Sequence, residues 1–319
     1  MRVLITGGAG FIGSHLVESF EAEAEVTVLD DFRTGYARNL RDRRCRFVEG
    51  SIEDAAVVDE VVRDADYVFH LAAMVSVPES MEAPEECVRL NVNGLLNVLR
   101  AAARHKVRKV VFSSSAAVYG DNPTVPKVET MLPEPRSPYA ITKLDGEYYM
   151  EFFRREHGLE TCSLRFFNVF GPRQDPGGAY AAAVPIFIRN ALRGDPLTIF
   201  GDGGQTRDFV YVKDIVGANR FVAMHPGANG VYNVGYGQSL SIGDLAKKII
   251  SEAGSGAEVR HGPERPGDVR HSTASPARLT GLGWKPEHTL EEGLRETLRF
   301  FKANLSGEEV TGESTREGG

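Results

Sequence analysis

The chain has 319 residues, 42% hydrophobic and 25% charged, enough to bury a full core as one large domain or two interlocked ones. A net charge of −7 leaves no basic footprint for nucleic acid, so an anionic ligand must be held by local Arg and Lys. Cys45, Cys87 and Cys162 are too few and too scattered for a disulfide frame or a metal site. They read as thiols of a reducing compartment. No leader-like apolar region precedes the first strand and no stretch is apolar enough to span a membrane, so a cytoplasmic protein is expected.

In chain order, residues 2–6 form an apolar run, followed by Gly7-Gly-Ala-Gly10-Phe-Ile-Gly13 and a helical pattern over 14–22. Glycines at 7, 10 and 13 between a strand and a helix let a pyrophosphate approach the backbone at the helix's positive end. A second strand over 26–29 ends at Asp30, whose carboxylate suits the ribose hydroxyls of NAD rather than its 2′-phosphorylated form. Arg33 lies close by and softens that preference. Together these features predict a dinucleotide site.

Alternation continues with a strand over 46–49, a helix over 54–62 and a strand over 66–70, which predicts a parallel, doubly wound sheet. Ser51 and Ile52 after the third strand can border an adenine. Leu71, Ala72 and Ala73 follow the fourth strand, at the end where this architecture places ligands. A long helix is predicted over 85–106. Asn91 inside it must be bonded, either to backbone beside a cofactor or in a purely structural contact.

The fifth strand, 109–112, runs into Ser113-Ser114-Ser115, which reads equally as turn chemistry or as hydroxyls beside a nicotinamide. A long helix ending near His157 opens with Pro138-Tyr139-Ala-Ile-Thr-Lys143. Tyr139 and Lys143, four apart, share one helix face, where an ammonium favours the phenolate. A strand over 161–167 leads into a Gly/Pro-rich run over 168–178, where the main domain crossing is expected. Beyond lie a helix over 183–193, a strand over 197–200, and helices over 242–253 and 290–302. Arg207 and Arg265 are candidate phosphate clamps, although for each alone a surface ion pair is the commoner role. The polar stretch over 306–319 is expected to be disordered.

Thr6-Gly-Gly-Ala-Gly-Phe-Ile-Gly13, Ser113-Ser-Ser-Ala-Ala-Val-Tyr-Gly120, Tyr139-x-x-x-Lys143 and Arg207-Asp208-Phe-Val-Tyr-Val together resemble the extended short-chain dehydrogenases/reductases, specifically nucleotide-sugar 4-epimerases. The match runs in order from residue 1 to about 300. The resemblance implies an NAD-binding Rossmann domain over 1–167, with a return segment over 209–232. It implies a smaller C-terminal α/β substrate domain over 168–208 and 233–304, with a tail over 305–319. It further implies tightly held NAD, a UDP-sugar substrate, and a homodimer built through helices near 89–105 and 139–157.

Carried over by position, NAD contacts fall on Gly7, Gly10, Phe11, Ile12, Gly13, Asp30, Asp31, Arg33, Thr34 and Gly35. They continue through Ser51, Ile52, Leu71, Ala72, Ala73, Asn91, Ser113, Tyr139, Lys143 and Phe167. Substrate contacts fall on Ser115, Asn168, Val184, Thr198, Ile199, Phe200, Arg207, Arg265, Asp268 and Ser272. The implied roles are Tyr139 as base, Lys143 as its electrostatic partner and Ser115 as the catalytic hydroxyl. No metal is implied.

Ser51 stands where many epimerases have Asp, which puts that adenine contact in doubt. Ala116 and Ala117 stand where dehydratases carry Asp-Glu and decarboxylases a Glu, which favours plain epimerisation. The runs over 168–181 and 267–272 most resemble the UDP-N-acetylglucosamine 4-epimerase branch, and Ser272 aligns with a wall position that is tyrosine in glucose-restricted members, so UDP-GlcNAc and UDP-GalNAc are favoured, with some UDP-Glc and UDP-Gal activity expected. The alternatives are a UDP-glucuronate 4-epimerase or dehydratase on the same scaffold, or a non-catalytic NAD-binding sensor.

Overall fold

The computed structural model describes residues 1–177, 181–264 and 269–311. The first half alternates strand and helix: β1 (Arg2–Thr6), α1 (Phe11–Phe20), β2 (Glu25–Asp30), β3 (Arg46–Glu49), α2 (Ala55–Val62) and β4 (Tyr67–His70). Then come α3 (Val77–Glu82), α4 (Pro84–Val88), α5 (Gly94–His105), β5 (Lys109–Ser115), α6 (Pro138–His157) and β6 (Glu160–Phe166). The second half holds β7 (Asn168–Phe170), α7 (Ala183–Arg193), β8 (Leu197–Phe200), β9 (Thr206–Arg207), β10 (Phe209–Tyr211), α8 (Val212–Met224) and β11 (Gly230–Val234). It closes with β12 (Leu240–Ser241), α9 (Ile242–Ala253), β13 (Val259–Gly262), β14 (His271–Ser272), α10 (Ala277–Thr280) and α11 (Leu290–Thr311).

Seven strands form one parallel sheet in the order β11-β6-β5-β4-β1-β2-β3. The Val-, Ile- and Leu-rich runs of the inner strands are buried on both faces, which is why they read as continuous apolar stretches rather than alternating ones, whereas the edge strand β3 is largely exposed. Strand order reverses at β1, between β4 and β2, and such switch points open a crevice at the strands' C-terminal ends. There the Thr6 hydroxyl, at the end of β1, meets His70 Nδ1, at the end of β4, at 2.8 Å.

A separate apolar cluster joins α7, α9, α11, β8 and β10 around Phe187, Leu245 and Leu294. It faces the crevice from the other side. No helix among the described residues is long and apolar enough to cross a membrane. All three cysteines are free.

Two elements differ from the sequence reading. The predicted 85–106 helix is interrupted by a π-helical turn over Arg89–Asn93 between α4 and α5. That extra residue re-aims Asn91, whose Oδ1 accepts from Met74 N at 2.7 Å while Nδ2 donates to Met74 O and Thr142 Oγ1, each at 3.0 Å. Helix α11 also continues to Thr311, past the point where a disordered tail was expected. No proline lies in that extension, and Gly307 alone is too weak a breaker to stop a formed helix.

Candidate active site

The crevice is a cleft of about 900 Å³ between the sheet's C-terminal edge and the second apolar cluster. Its floor at one end is the glycine turn. Gly7 adopts φ +73°, and a Cβ there would lie 2.7 Å from Ala72 N; a Cβ on Gly13 would lie 2.1 Å from Gly7 O. Only glycine allows α1 to start this close to β1, leaving the first-turn N–H groups of α1 beside the cleft. Asp30 closes this end: its Oδ2 accepts from Ala9 N at 2.9 Å and its Oδ1 from Phe32 N at 2.8 Å. Burial raises the Asp30 pKa, although both N–H groups pull it down.

At the other end, the start of α6 meets the end of β5. Pro138 at the first turn and Ser137, whose side chain accepts from Ala140 N, fix the helix start. The three serines prolong β5 instead of forming a turn, in register with Leu164, Arg165 and Phe166 of β6. Tyr139 lies beside the Ser115 hydroxyl, which favours its phenolate, and Lys143 Nζ donates to Ser113 O at 2.8 Å. Gly146 permits this approach, since a Cβ there would lie 2.5 Å from the Phe112 ring.

Electrostatics here depart from expectation in one respect. The lysine was expected to lower the tyrosine's pKa, yet burial pushes the Tyr139 phenol up and the Ser115 hydroxyl pulls the other way. Lys143 Nζ stands 5.7 Å from the Tyr139 ring centre and spends a proton on Ser113 O. Burial lowers its own pKa to about 8, so it stays mainly charged at neutral pH. Desolvation by burial governs the phenol here.

The model of the NAD dependent epimerase/dehydratase family matches residues 3–235. The chain belongs to that family. It is 43% identical to a UDP-glucose 4-epimerase of Thermotoga maritima solved with UDP-glucose, with a TM-score of 0.92 and coverage of 96% of this chain and 100% of that one. A UDP-N-acetylglucosamine 4-epimerase of Methanobrevibacter ruminantium, solved with UDP-N-acetylmuramic acid, is 41% identical with a TM-score of 0.92, covering 95% and 98%. A putative UDP-glucose 4-epimerase of Methanocaldococcus jannaschii is 38% identical over 305 residues, covering 95% of this chain and 99% of that protein. The family's cofactor is NAD, and the glycine cradle with the Asp30 carboxylate fits it.

The cleft of this epimerase/dehydratase-family chain brings together most of the residues singled out in sequence. Gly7, Gly10, Phe11, Ile12, Gly13, Asp30, Asp31, Arg33, Thr34, Gly35 and Ile52 line it, with Leu71, Ala72, Ala73, Ser113, Ser115, Tyr139, Lys143 and Phe167. Asn168, Val184, Thr198, Ile199, Phe200 and Arg207 line the facing wall. Arg207 is partly buried there, with Nη1 donating to Thr206 O at 2.9 Å.

Three residues are not brought to the wall. Asn91 is consumed by Met74 and Thr142 behind it. Ser51 gives way to its neighbours Gly50 and Ile52, its hydroxyl accepting from Glu53 N at 3.3 Å. Ser272 pairs in register with Arg207 in β14 and stands off the cleft. Arg265 and Asp268 lie outside the described residues.

Sequence reasoning missed several wall residues. Gln174 and Asp175 sit in the Gly/Pro-rich run, and Asp175 Oδ2 accepts from the Tyr36 hydroxyl at 2.5 Å across the cleft mouth. Val75, Leu90, Phe209 and Ile242 are apolar wall residues with no local pattern to separate them from core.

Proposed function

We infer that this chain is a UDP-hexose 4-epimerase that inverts C4 through a 4-keto sugar. One observation carries this over dehydration. Among the described residues, the carboxylates lining the cleft are Asp30, Asp31 and Asp175, and none stands beside Ser115 and Tyr139. Asp30 ends β2, separated from β5 by two intervening strands, and Asp175 is engaged by Tyr36. Removing water needs a second acid/base at the reacting carbons; epimerisation needs only a group that takes and returns the hydroxyl proton.

Tyr139 takes the proton of the sugar 4-hydroxyl, and Ser115 donates a hydrogen bond to the reacting oxygen. The glycine turn and Asp30 would hold NAD, which would supply a reversible hydride acceptor for C4, so that no net redox would occur. Lys143 supplies positive charge beneath the phenol and holds the end of β5. Burial disfavours the phenolate, and a cationic nicotinamide held beside Tyr139 would favour it. Arg207 on the facing wall suits the diphosphate, and Phe200, Ile199, Thr198, Val184 and Asn168 form the surface against which the nucleotide sugar rests.

Ser272 is small and pairs in register with the wall residue Arg207, so no bulky side chain at that position limits the sugar, and both N-acetylated and plain UDP-hexoses are accepted. The free cysteines suit the cytoplasm. The assembly is a homodimer through α5 and α6. The test is NMR of purified protein incubated separately with UDP-GlcNAc and UDP-Glc without added NAD. Galacto-configured products support the reading; no change in either sugar after NAD is supplied would remove it.

A further inference from the structure

We propose that Glu147 is a positioning residue for the Ser115–Tyr139–Lys143 set, holding the end of β5 in place through Ser114. The inference rests on the epimerase reading for its kinetic consequence, but its geometry stands apart from it. Tyr139, Lys143 and Glu147 recur every four residues and form one stripe of α6. Each meets a different serine of β5. Tyr139 meets the Ser115 hydroxyl, Lys143 the Ser113 carbonyl at 2.8 Å, and Glu147 Oε1 accepts from Ser114 Oγ at 2.5 Å.

Glu147 is itself fixed from the neighbouring strand. Arg165 of β6, in register with Ser114, grips it with two bonds, Nε to Oε1 at 2.8 Å and Nη2 to Oε2 at 2.6 Å. Both side chains of this ion pair are only 4% exposed. A buried ion pair loses hydration and is often replaceable by apolar packing without loss of stability, so stability alone is a weak reason for this one.

Its reach to Ser114 supplies a stronger reason. Side chains alternate along a strand, so Ser114 points away from the face of Ser113 and Ser115. A shift of the backbone at Ser114 therefore moves the Ser115 hydroxyl and the Ser113 carbonyl together. Gly146 removes the side chain that would otherwise space helix from strand, which leaves the three polar rungs to set the register. Two rungs belong to the chemistry; the third, at Glu147, holds the strand while they act.

Ser114→Ala tests this with little risk to folding, because it removes one oxygen and leaves the Glu147–Arg165 pair intact. The expected result is unchanged NADH affinity and UDP-hexose KM, with kcat lower by about tenfold or more. The ultraviolet titration of Tyr139, isolated by subtracting Tyr139→Phe, should move to higher pH as its contact with Ser115 weakens. Wild-type kcat with an unmoved Tyr139 titration in Ser114→Ala would overturn the proposal. If the wild-type chain turns over no UDP-hexose, the epimerase reading fails. The Tyr139 titration then decides the positioning role alone: a shift supports it and no shift overturns it.

Discussion

The guanidinium of Arg33 lies 2.7 Å from the Glu79 carboxylate, and Ser80, the next residue, accepts the backbone N–H of Tyr139 at 3.2 Å. One short helix, α3, thus touches the adenosine end of the cleft with one residue and the start of the catalytic helix with the next. A second carboxylate, Glu86 of α4, holds Arg33 at 2.6 Å.

This pairing bears on cofactor choice. Arg33 was expected to soften the preference for NAD, since an arginine beside the ribose can take a 2′-phosphate. Here two carboxylates already occupy it, and Asp30 repels a phosphate besides. The double variant Glu79→Gln, Glu86→Gln should release the guanidinium. NADPH affinity is expected to rise by about tenfold with NADH affinity unchanged, a modest effect because the pairs are about one-third exposed. Fluorescence titration with the two nucleotides checks it, and equal NADPH affinities in variant and wild type would refute it.

Tyr139→Phe removes the proton acceptor but keeps the ring against Lys143. Turnover of UDP-hexose is expected to fall by about 10³-fold, within the usual range for a general base. NADH binding should persist, because the glycine cradle and Asp30 are untouched. Retained turnover would show that another group moves the proton.

Much of this site was legible in the sequence because its parts are local. The glycine turn, Asp30 at a strand end and the Tyr139–Lys143 spacing each need only a few neighbouring residues to be recognised. The parts that escaped depend on distant segments. The π-helical turn that swings Asn91 onto Met74 has no local signature in an otherwise helical pattern. Glu147 reads as one more polar helix residue until β6 brings Arg165 beside it. Ser272 was given a place on the substrate wall by resemblance, and only the folded chain shows it paired in register with Arg207, a residue of that wall.

Stability should fall on mild acidification, chiefly through two histidines. Burial lowers the pKa of His15 to about 4, with Arg173 acting in the same direction, and its Nε2 meets Pro172 O at 2.9 Å. Burial lowers His70 to about 3, with Lys143 adding to the effect. Below the ordinary value of 6.5 the unfolded chain takes up protons that these folded histidines refuse, so their contribution is full above 6.5 and is lost as pH falls towards the folded values.

Asp208 opposes this trend. Its buried carboxylate accepts from Tyr236, Gly237 and Ala274, and burial raises its pKa to about 6, so the native state gains a proton first as pH falls through that value. From pH 6.5 to 5 the two histidines together outweigh Asp208, a net loss of about 2 kcal/mol. Urea midpoints at pH 7 and 5 measure it, and His70→Gln should flatten the slope. Equal midpoints in the wild-type chain would contradict the assignment.

The outer face of α6 carries the last prediction. Ile141, Tyr148 and Phe152, at spacings of seven and four, are 46%, 62% and 50% exposed and lie on the side away from Tyr139 and Lys143. Val77, Met81 and Val88 on α3 and α4, which pack against α6, are also exposed. An apolar stripe of this kind calls for a partner, and a second copy of the same stripe is self-complementary across a two-fold axis. Phe152→Glu with Tyr148→Glu should therefore convert a dimer to a monomer in analytical ultracentrifugation. NADH binding should survive, because the cleft opens from the opposite stripe of the helix. A wild-type chain that sediments as a monomer at micromolar concentration would refute the dimer, while a double variant that stays dimeric would place the interface elsewhere.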